Sequence, residues 1–223
     1  MYSLKRVGGG DEAGRAAVIG PLVLAIAVYD DEGRKTIKEL GVRDSKQLSP
    51  RQREELEPHI KKAAVEWEVM TVSASDIDRR RLIESLNAME ARDTVALIGQ
   101  LKSHPDSIII DATDSIAENY RHRILHLLAE TNVKHQPTRI IAEHKADANY
   151  LEVSAASVIA KVERDRAIKE LAKQYGDIGS GYPADEKTIA FLKQLKAKGE
   201  YPPFVRKSWE TIEKIKQTAL SDF

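Results

Sequence analysis

The residues Ser107-Ile108-Ile109-Ile110-Asp111 limit the fold more than any other stretch of this 223-residue chain. A continuous apolar run bounded by chain breakers is the pattern of a strand buried on both faces. Such a strand needs a covering layer above and below it. Val18 to Tyr29 (VIGPLVLAIAVY) is a second, longer run. It reads as a central strand that begins after Pro21, because proline cannot donate to a ladder. Trp67 to Ser73 alternates apolar and polar residues, as a half-buried strand does, and is expected beside the Val18–Tyr29 strand. Tyr2 to Val7 and Arg139 to Glu143 are further strand-type segments.

Helical patterns lie between and after these runs. Thr36 to Leu40 is a short helix ended by Gly41. Ser49 is the expected N-cap of a helix with Pro50 at its first position, continuing from Arg51 to Ala64. From Ser75 to Leu101 a single helix is predicted, with Leu82, Leu86, Met89 and Leu97 in the core. Asp114 is the natural cap of a helix at Ile116 to Leu128. Beyond Asp147 a helix carries Ala155, Val158, Ile159, Val162, Ile168, Leu171 and Tyr175 on one stripe. Helices at Asp185 to Lys198 and Lys207 to Gln217 follow, with Trp209, Ile212 and Ile215 turned inward. The order predicts an α/β fold: a mixed sheet with helices on its faces.

Two adjacent carboxylates, Asp11 and Glu12, sit among glycines in Gly8-Gly9-Gly10-Asp11-Glu12-Ala13-Gly14-Arg15-Ala16. The stretch has three readings. Acids at the edge of a buried sheet suit a divalent metal ion, which prefers carboxylate oxygen. Gly8, Gly10 and Ala13 also fit the spacing of a dinucleotide fingerprint. Against that, Asp11 and Glu12 would repel a pyrophosphate, and a strand pattern follows instead of a helix. The third reading is a glycine-rich hairpin with solvated acids. Neighbours in a regular strand point to opposite faces. Asp11 and Glu12 therefore share one site only if the backbone departs from strand geometry, which the glycines permit.

Further acids fall at comparable places. Asp111 ends a strand, where open α/β sheets bind ligands. Asp147 lies between a strand and a helix and has a capping role as its alternative. His122 and His126 are four apart, but a third zinc ligand is not evident, so they read as surface histidines. No Ser-His-Asp, Cys-His, P-loop or H-E-x-x-H pattern competes. Clustered carboxylates without a nucleophile point to metal-activated water.

Composition narrows the class. Lys plus Arg and Asp plus Glu are 35 each, so the net charge is zero, which argues against a simple basic nucleic-acid binder. Basic residues nonetheless gather at Arg43–Arg53 and Lys161–Lys173; on charge alone these are solvated faces. There are no cysteines, hence no disulfide framework and no thiolate metal site. No signal-peptide core or membrane-length apolar run is present, and a cytoplasmic location without membrane association is expected. Gly179-Ser180-Gly181-Tyr182-Pro183 is a tight turn that displays a tyrosine able to stack on a sugar or base.

Six motifs in order resemble ribonuclease HII, in its archaeal branch. They are D-E-A-G-R at Asp11–Arg15, D-S-K at Asp44–Lys46, I-D-A at Ile110–Ala112, H-K-A-D at His144–Asp147, S-A-A-S-V-I-A-K-V-E-R-D-R at Ser154–Arg166 and G-S-G-Y-P at Gly179–Pro183. The resemblance implies a ribonuclease H-like mixed sheet flanked by helices, with a helical C-terminal extension. It implies Mg²⁺- or Mn²⁺-dependent cleavage of RNA in RNA–DNA hybrids, and on the 5′ side of single ribonucleotides in duplex DNA, leaving 3′-hydroxyl and 5′-phosphate ends. On the matching positions Asp11, Glu12, Asp111 and Asp147 are the metal and catalytic acids. Lys46, with Lys161 or Arg164, contacts phosphate. Tyr182 stacks on the sugar, and the backbone of Gly14-Arg15-Ala16 reads the 2′-hydroxyl, the group that separates RNA from DNA.

The chain departs from the family at two places. Ala16 replaces a glycine; if that position needs positive φ, it is strained by roughly 1–2 kcal/mol, and its methyl crowds the ribose. Weaker junction recognition and a gain on Ala16→Gly are the expectations. Gly10 replaces an apolar residue, which is expected to loosen the strand carrying Asp11. The tail, with Gln217, Leu220 and Phe223, is similar to the box by which partners bind a sliding clamp. Residues 1–200 are expected to form the catalytic domain, 201–216 a packed helical extension and 217–223 the clamp-binding tail of a monomer. A non-catalytic RNA–DNA hybrid-binding module is the alternative.

Overall fold

The glycine-rich segment is itself a strand. The computed structural model describes residues 5–42, 48–131, 133 and 136–218. In it β1 (Val7–Ala13) begins where the Tyr2–Val7 run read as strand ends and carries on through the glycines and the two acids. It pairs antiparallel with β2 (Leu22–Tyr29) and parallel with β4 (Ser107–Asp111). With β3 (Glu66–Val72) and β5 (Arg139–Glu143) the order is β3-β2-β1-β4-β5, so β1 is the central strand. β3 lies beside β2 as expected.

Gly9 is what makes the centre of the sheet possible. A Cβ there would lie 2.1 Å from the carbonyl carbon of Glu152, at the start of the long helix α7 (Leu151–Tyr175). Only a residue without a side chain lets that helix rest on the strand. Gly10 keeps β1 paired on both sides. It pairs with Ile26 and Ile110 on either side, and a methyl would meet their side chains at 3.5 and 3.6 Å, ordinary contact.

The predicted helices are present with shifted ends. α1 (Asp31–Glu39) starts earlier than Thr36, because Asp30 caps it. α2 (Pro50–Ala63) has Ser49 as N-cap, and the Ser49 N–H donates in return to Gln52 Oε1. The single helix expected at 75–101 is two. α3 (Ala74–Arg80) is capped by Ser73 and α4 (Leu86–Gln100) by Ser85. Leu82 falls in the break and is 83% exposed, while Met89 and Leu97 are buried. Helical spacing across a break carries no packing information.

α5 (Ala117–Glu130) has no side-chain cap. Asp114 is instead bound by Asn87 and, at 3.2 Å, by Arg123. The short α6 (Ala146–Asn149) follows β5. Ala155, Val158, Ile159 and Val162 of α7 pack with Ala13, Val23, Ala25 and Ala27 on one face of the sheet. Tyr175, predicted on the same stripe, is exposed. α8 (Glu186–Ala197) and α9 (Glu210–Thr218) end the described chain, with Trp209, Ile212 and Ile215 buried.

The chain divides into two compact units. One comprises Met1–Ala13, Val23–Met70 and Ser85–Val162; the other comprises Gly14–Leu22, Thr71–Glu84 and Glu163–Phe223. No helix among the described residues is long and apolar enough to cross a membrane.

Candidate active site

Three aspartates from separate parts of the chain meet in the first unit. Carboxylate oxygens of Asp11, Asp111 and Asp147 all lie within 4.8 Å of one another. Topology explains the meeting. β1 and β4 are parallel with Gly10 opposite Ile110, so the next residues, Asp11 and Asp111, stand level at the carboxyl ends of adjacent strands. Asp147 sits in α6, straight after β5, and is only 2% exposed. The Ala146 N–H donates to Asp111 Oδ1 at 3.0 Å, which ties the α6 turn to the strand end. Lys145, just before it, has φ +58 and reverses the chain there.

Electrostatics fit a cation site. Asp11 is pushed from 3.8 up to about 6, chiefly by burial, with the Asp111 charge adding to the effect. The Lys161 charge, a hydrogen bond from Ser157 and the Glu12 N–H oppose it. Lys161 itself donates to Ser157 Oγ at 2.5 Å, so it belongs to the surroundings of Asp11. Buried carboxylates this close repel each other, and a hard divalent cation is the partner their oxygens suit.

Glu12 is not brought into this cluster. β1 pairs regularly through Ala13, with Asp11 opposite Ala25 and Glu12 opposite Leu24, and no bulge intervenes. The alternation of a regular strand therefore holds. Asp11 interacts with Ser157 and Lys161 of α7, and Glu12 lines a small cavity together with Asp11, Glu90, Thr94 and Tyr120. The departure from strand geometry that would join the two acids is absent.

The second unit holds Gly14, Arg15, Ala16, Arg164 and Tyr182 of the predicted contacts. Ala17 N donates to Gly14 O at 3.2 Å, closing a turn over Gly14-Arg15-Ala16-Ala17. Gly14 has φ +86, and a Cβ there would meet Arg164 Nε and the Pro21 carbonyl oxygen at 2.6 Å. Ala16 is exposed and lies outside the positive-φ region, so the strain considered for it does not arise. A second glycine turn, at Gly179 and Gly181, also has positive φ at both glycines. Gly181 O accepts from Val18 N at 2.8 Å and Ile19 N at 3.1 Å, which joins the two turns.

Arg164, expected on a phosphate, is 4% exposed. Its Nη2 donates to Ser180 O at 2.9 Å, and its guanidinium lies 4.4 Å from the Tyr182 ring. The two make a cation–π contact. Lys46, Leu220 and Phe223 lie outside the described residues, and Gln217 is in the last turn of α9. Arg206 was not foreseen. It is fully buried and bonds main-chain oxygens of residues 15 and 20.

A family profile described as ribonuclease HII matches residues 8–212. The chain belongs to the ribonuclease HII family. The ribonuclease HII of Pyrococcus abyssi is 45% identical over 213 residues, 95% of this chain and 92% of the relative. The structure of the ribonuclease H2 from Pyrococcus horikoshii superposes with a TM-score of 0.86 at 42% identity, covering 96% and 98% of the two chains. The ribonuclease HII from Archaeoglobus fulgidus, solved as a complex with PCNA, superposes with a TM-score of 0.85 at 40% identity over 97% and 100%. The protein is thus a ribonuclease H, a nuclease and hydrolase, with the ribonuclease H-like mixed sheet of those structures.

Proposed function

We propose that the protein cleaves the RNA strand of RNA–DNA hybrids and cuts 5′ of single ribonucleotides in duplex DNA. The products are 3′-hydroxyl and 5′-phosphate ends. The observation that carries this reading is the meeting of Asp11, Asp111 and Asp147 within 4.8 Å. Those three would hold Mg²⁺ or Mn²⁺, and an all-carboxylate set suits these ions. When bound as a pair, such ions activate a water and stabilise the leaving oxygen. Glu12 is retained as the fourth catalytic acid, on the strength of its motif, beside the three aspartates that meet. Lys161 keeps positive charge near the buried carboxylates and is the basic residue proposed for the scissile phosphate, together with Lys46. The Gly14-Arg15-Ala16 turn is proposed to meet the ribose, and Tyr182 to stack on the sugar beside it.

The deciding experiment uses a duplex with one ribonucleotide. Cleavage 5′ of that residue with Mg²⁺ or Mn²⁺, and none with chelator, is expected. Binding without cleavage in either ion would leave only the hybrid-binding module. The tail is proposed to bind a sliding clamp, supported by the A. fulgidus relative that was solved with PCNA. Deleting Leu220–Phe223 should abolish clamp binding and leave cleavage of short duplexes unchanged; undiminished clamp binding rejects the tail assignment.

A further inference from the structure

Arg206 has no exposed surface. Burying a guanidinium is costly, and a well-packed apolar side chain is often as stable in such a place. What an apolar residue lacks is a rigid fork of donors. Here the fork is used on main chain: Nε donates to Gly20 O at 3.1 Å and Nη1 to Arg15 O at 2.9 Å.

The segment that carries Arg206 is fixed independently. Its own N–H donates to Val18 O at 2.9 Å, and Val205 bridges to Ile19. The Trp209 ring lies 4.8 Å from its guanidinium and 4.7 Å from that of Arg81. Asp78 accepts from Lys207 N at 2.7 Å and from Ser208 N at 3.0 Å. The donors of Arg206 therefore stay in place.

One geometric consequence follows for the turn. In a trans peptide the C=O and the next N–H point in opposite directions. Arg206 draws the Arg15 carbonyl inward, so the Ala16 N–H is turned outward, at a residue that is exposed. We propose that Arg206 is a positioning residue for ribose recognition: by holding the Arg15 carbonyl it presents the Ala16 amide to the 2′-hydroxyl. This rests on the reading above that the Gly14–Ala16 turn meets the ribose.

The test measures binding in the full-length Asp11→Asn background, which removes cleavage. Two probes of one sequence are titrated, a duplex with a single ribonucleotide and the same duplex in all-DNA form. Asp11→Asn alone should prefer the ribonucleotide duplex by about tenfold, the scale of one well-placed hydrogen bond. Adding Arg206→Met should leave all-DNA affinity unchanged and erase that preference. Full preference in a cooperatively melting Arg206→Met protein overturns the proposal while the turn reading stands. No preference in Asp11→Asn alone removes the turn reading, and the proposal with it. Where Arg206→Met does not melt cooperatively, Arg206→Lys decides. It keeps the charge but not the fork, and should lower the preference about threefold; an unchanged preference overturns the role.

Discussion

Asp11 and Asp111 stand on adjacent strands of a buried sheet, whereas Gly14 and Gly181 stand in loops tied to buried arginines. In the first region the backbone is regular, and function resides in which side chains the pleat presents. In the second the backbone is irregular, with φ of +86 and +82 at the two glycines, and side chains serve to hold it. Arg164 and Arg206 bond carbonyl oxygens of Ser180, Arg15 and Gly20. On the proposed assignment, cleavage chemistry lies on regular strand and ribose recognition on bent main chain, which needs something to fix the bend.

If that contrast is right, substitutions in the two regions fail differently. Asp111→Asn should lower single-turnover cleavage by about a thousandfold or more. The fold should survive, because an Asn Oδ1 can still accept from the Ala146 N–H. Retained duplex binding with lost cleavage is the expected pair of results; a loss below tenfold would remove Asp111 from the metal set.

Gly9 carries the largest expected effect on stability. Gly9→Ala places a methyl 2.1 Å from backbone that cannot move aside, and should destabilise by about 4 kcal/mol or more. Gly10→Ala, one residue on, meets only ordinary contacts and should change stability by less than about 1 kcal/mol. Equal unfolding midpoints in denaturant for the two variants would break the claim that α7 depends on Gly9.

The acids of the candidate site were legible because Asp111 ends an apolar strand and because Asp11 and Asp147 lie in motifs that resemble the family's. The alternation rule also named what to look for at Glu12, and β1 pairs regularly there. Other features depended on residues far apart in the chain. Gly9 is needed because of Glu152, and Arg206 matters through oxygens 186 and 191 positions away. No local pattern encodes such pairs. Leu82 and Asp114 misled for a related reason. Each had a sound local role, core stripe and cap, that the end of α3 and the Asn87–Arg123 pair displaced.

Burial of Asp11 gives a pH prediction of intermediate size. Its carboxyl titrates at about 6 in the folded protein against 3.8 ordinarily, so the fold holds the proton more tightly than the unfolded chain does. The charged form therefore costs stability. The cost is absent below about pH 4, grows as pH rises towards 6 and is constant above. With chelator at neutral pH, Asp11→Asn should be more stable than the parent by on the order of 2–3 kcal/mol. Below about pH 4 the two should converge. Thermal melts across pH measure this, and equal neutral-pH stability would mean that Asp11 is solvated.

Ala16→Gly should have the smallest effect. Strain at a positive φ was one ground for expecting a gain, and Ala16 has no such φ. Glycine here only adds freedom to the unfolded chain, so stability should fall by about 0.4–1 kcal/mol. Because Arg206 holds the Arg15 carbonyl in either variant, the outward amide is kept, and cleavage at a single ribonucleotide should stay within about threefold, under 1 kcal/mol of barrier. A tenfold gain would show that the Ala16 methyl itself obstructs the ribose. The second region would then discriminate by side-chain shape as well as by main-chain placement.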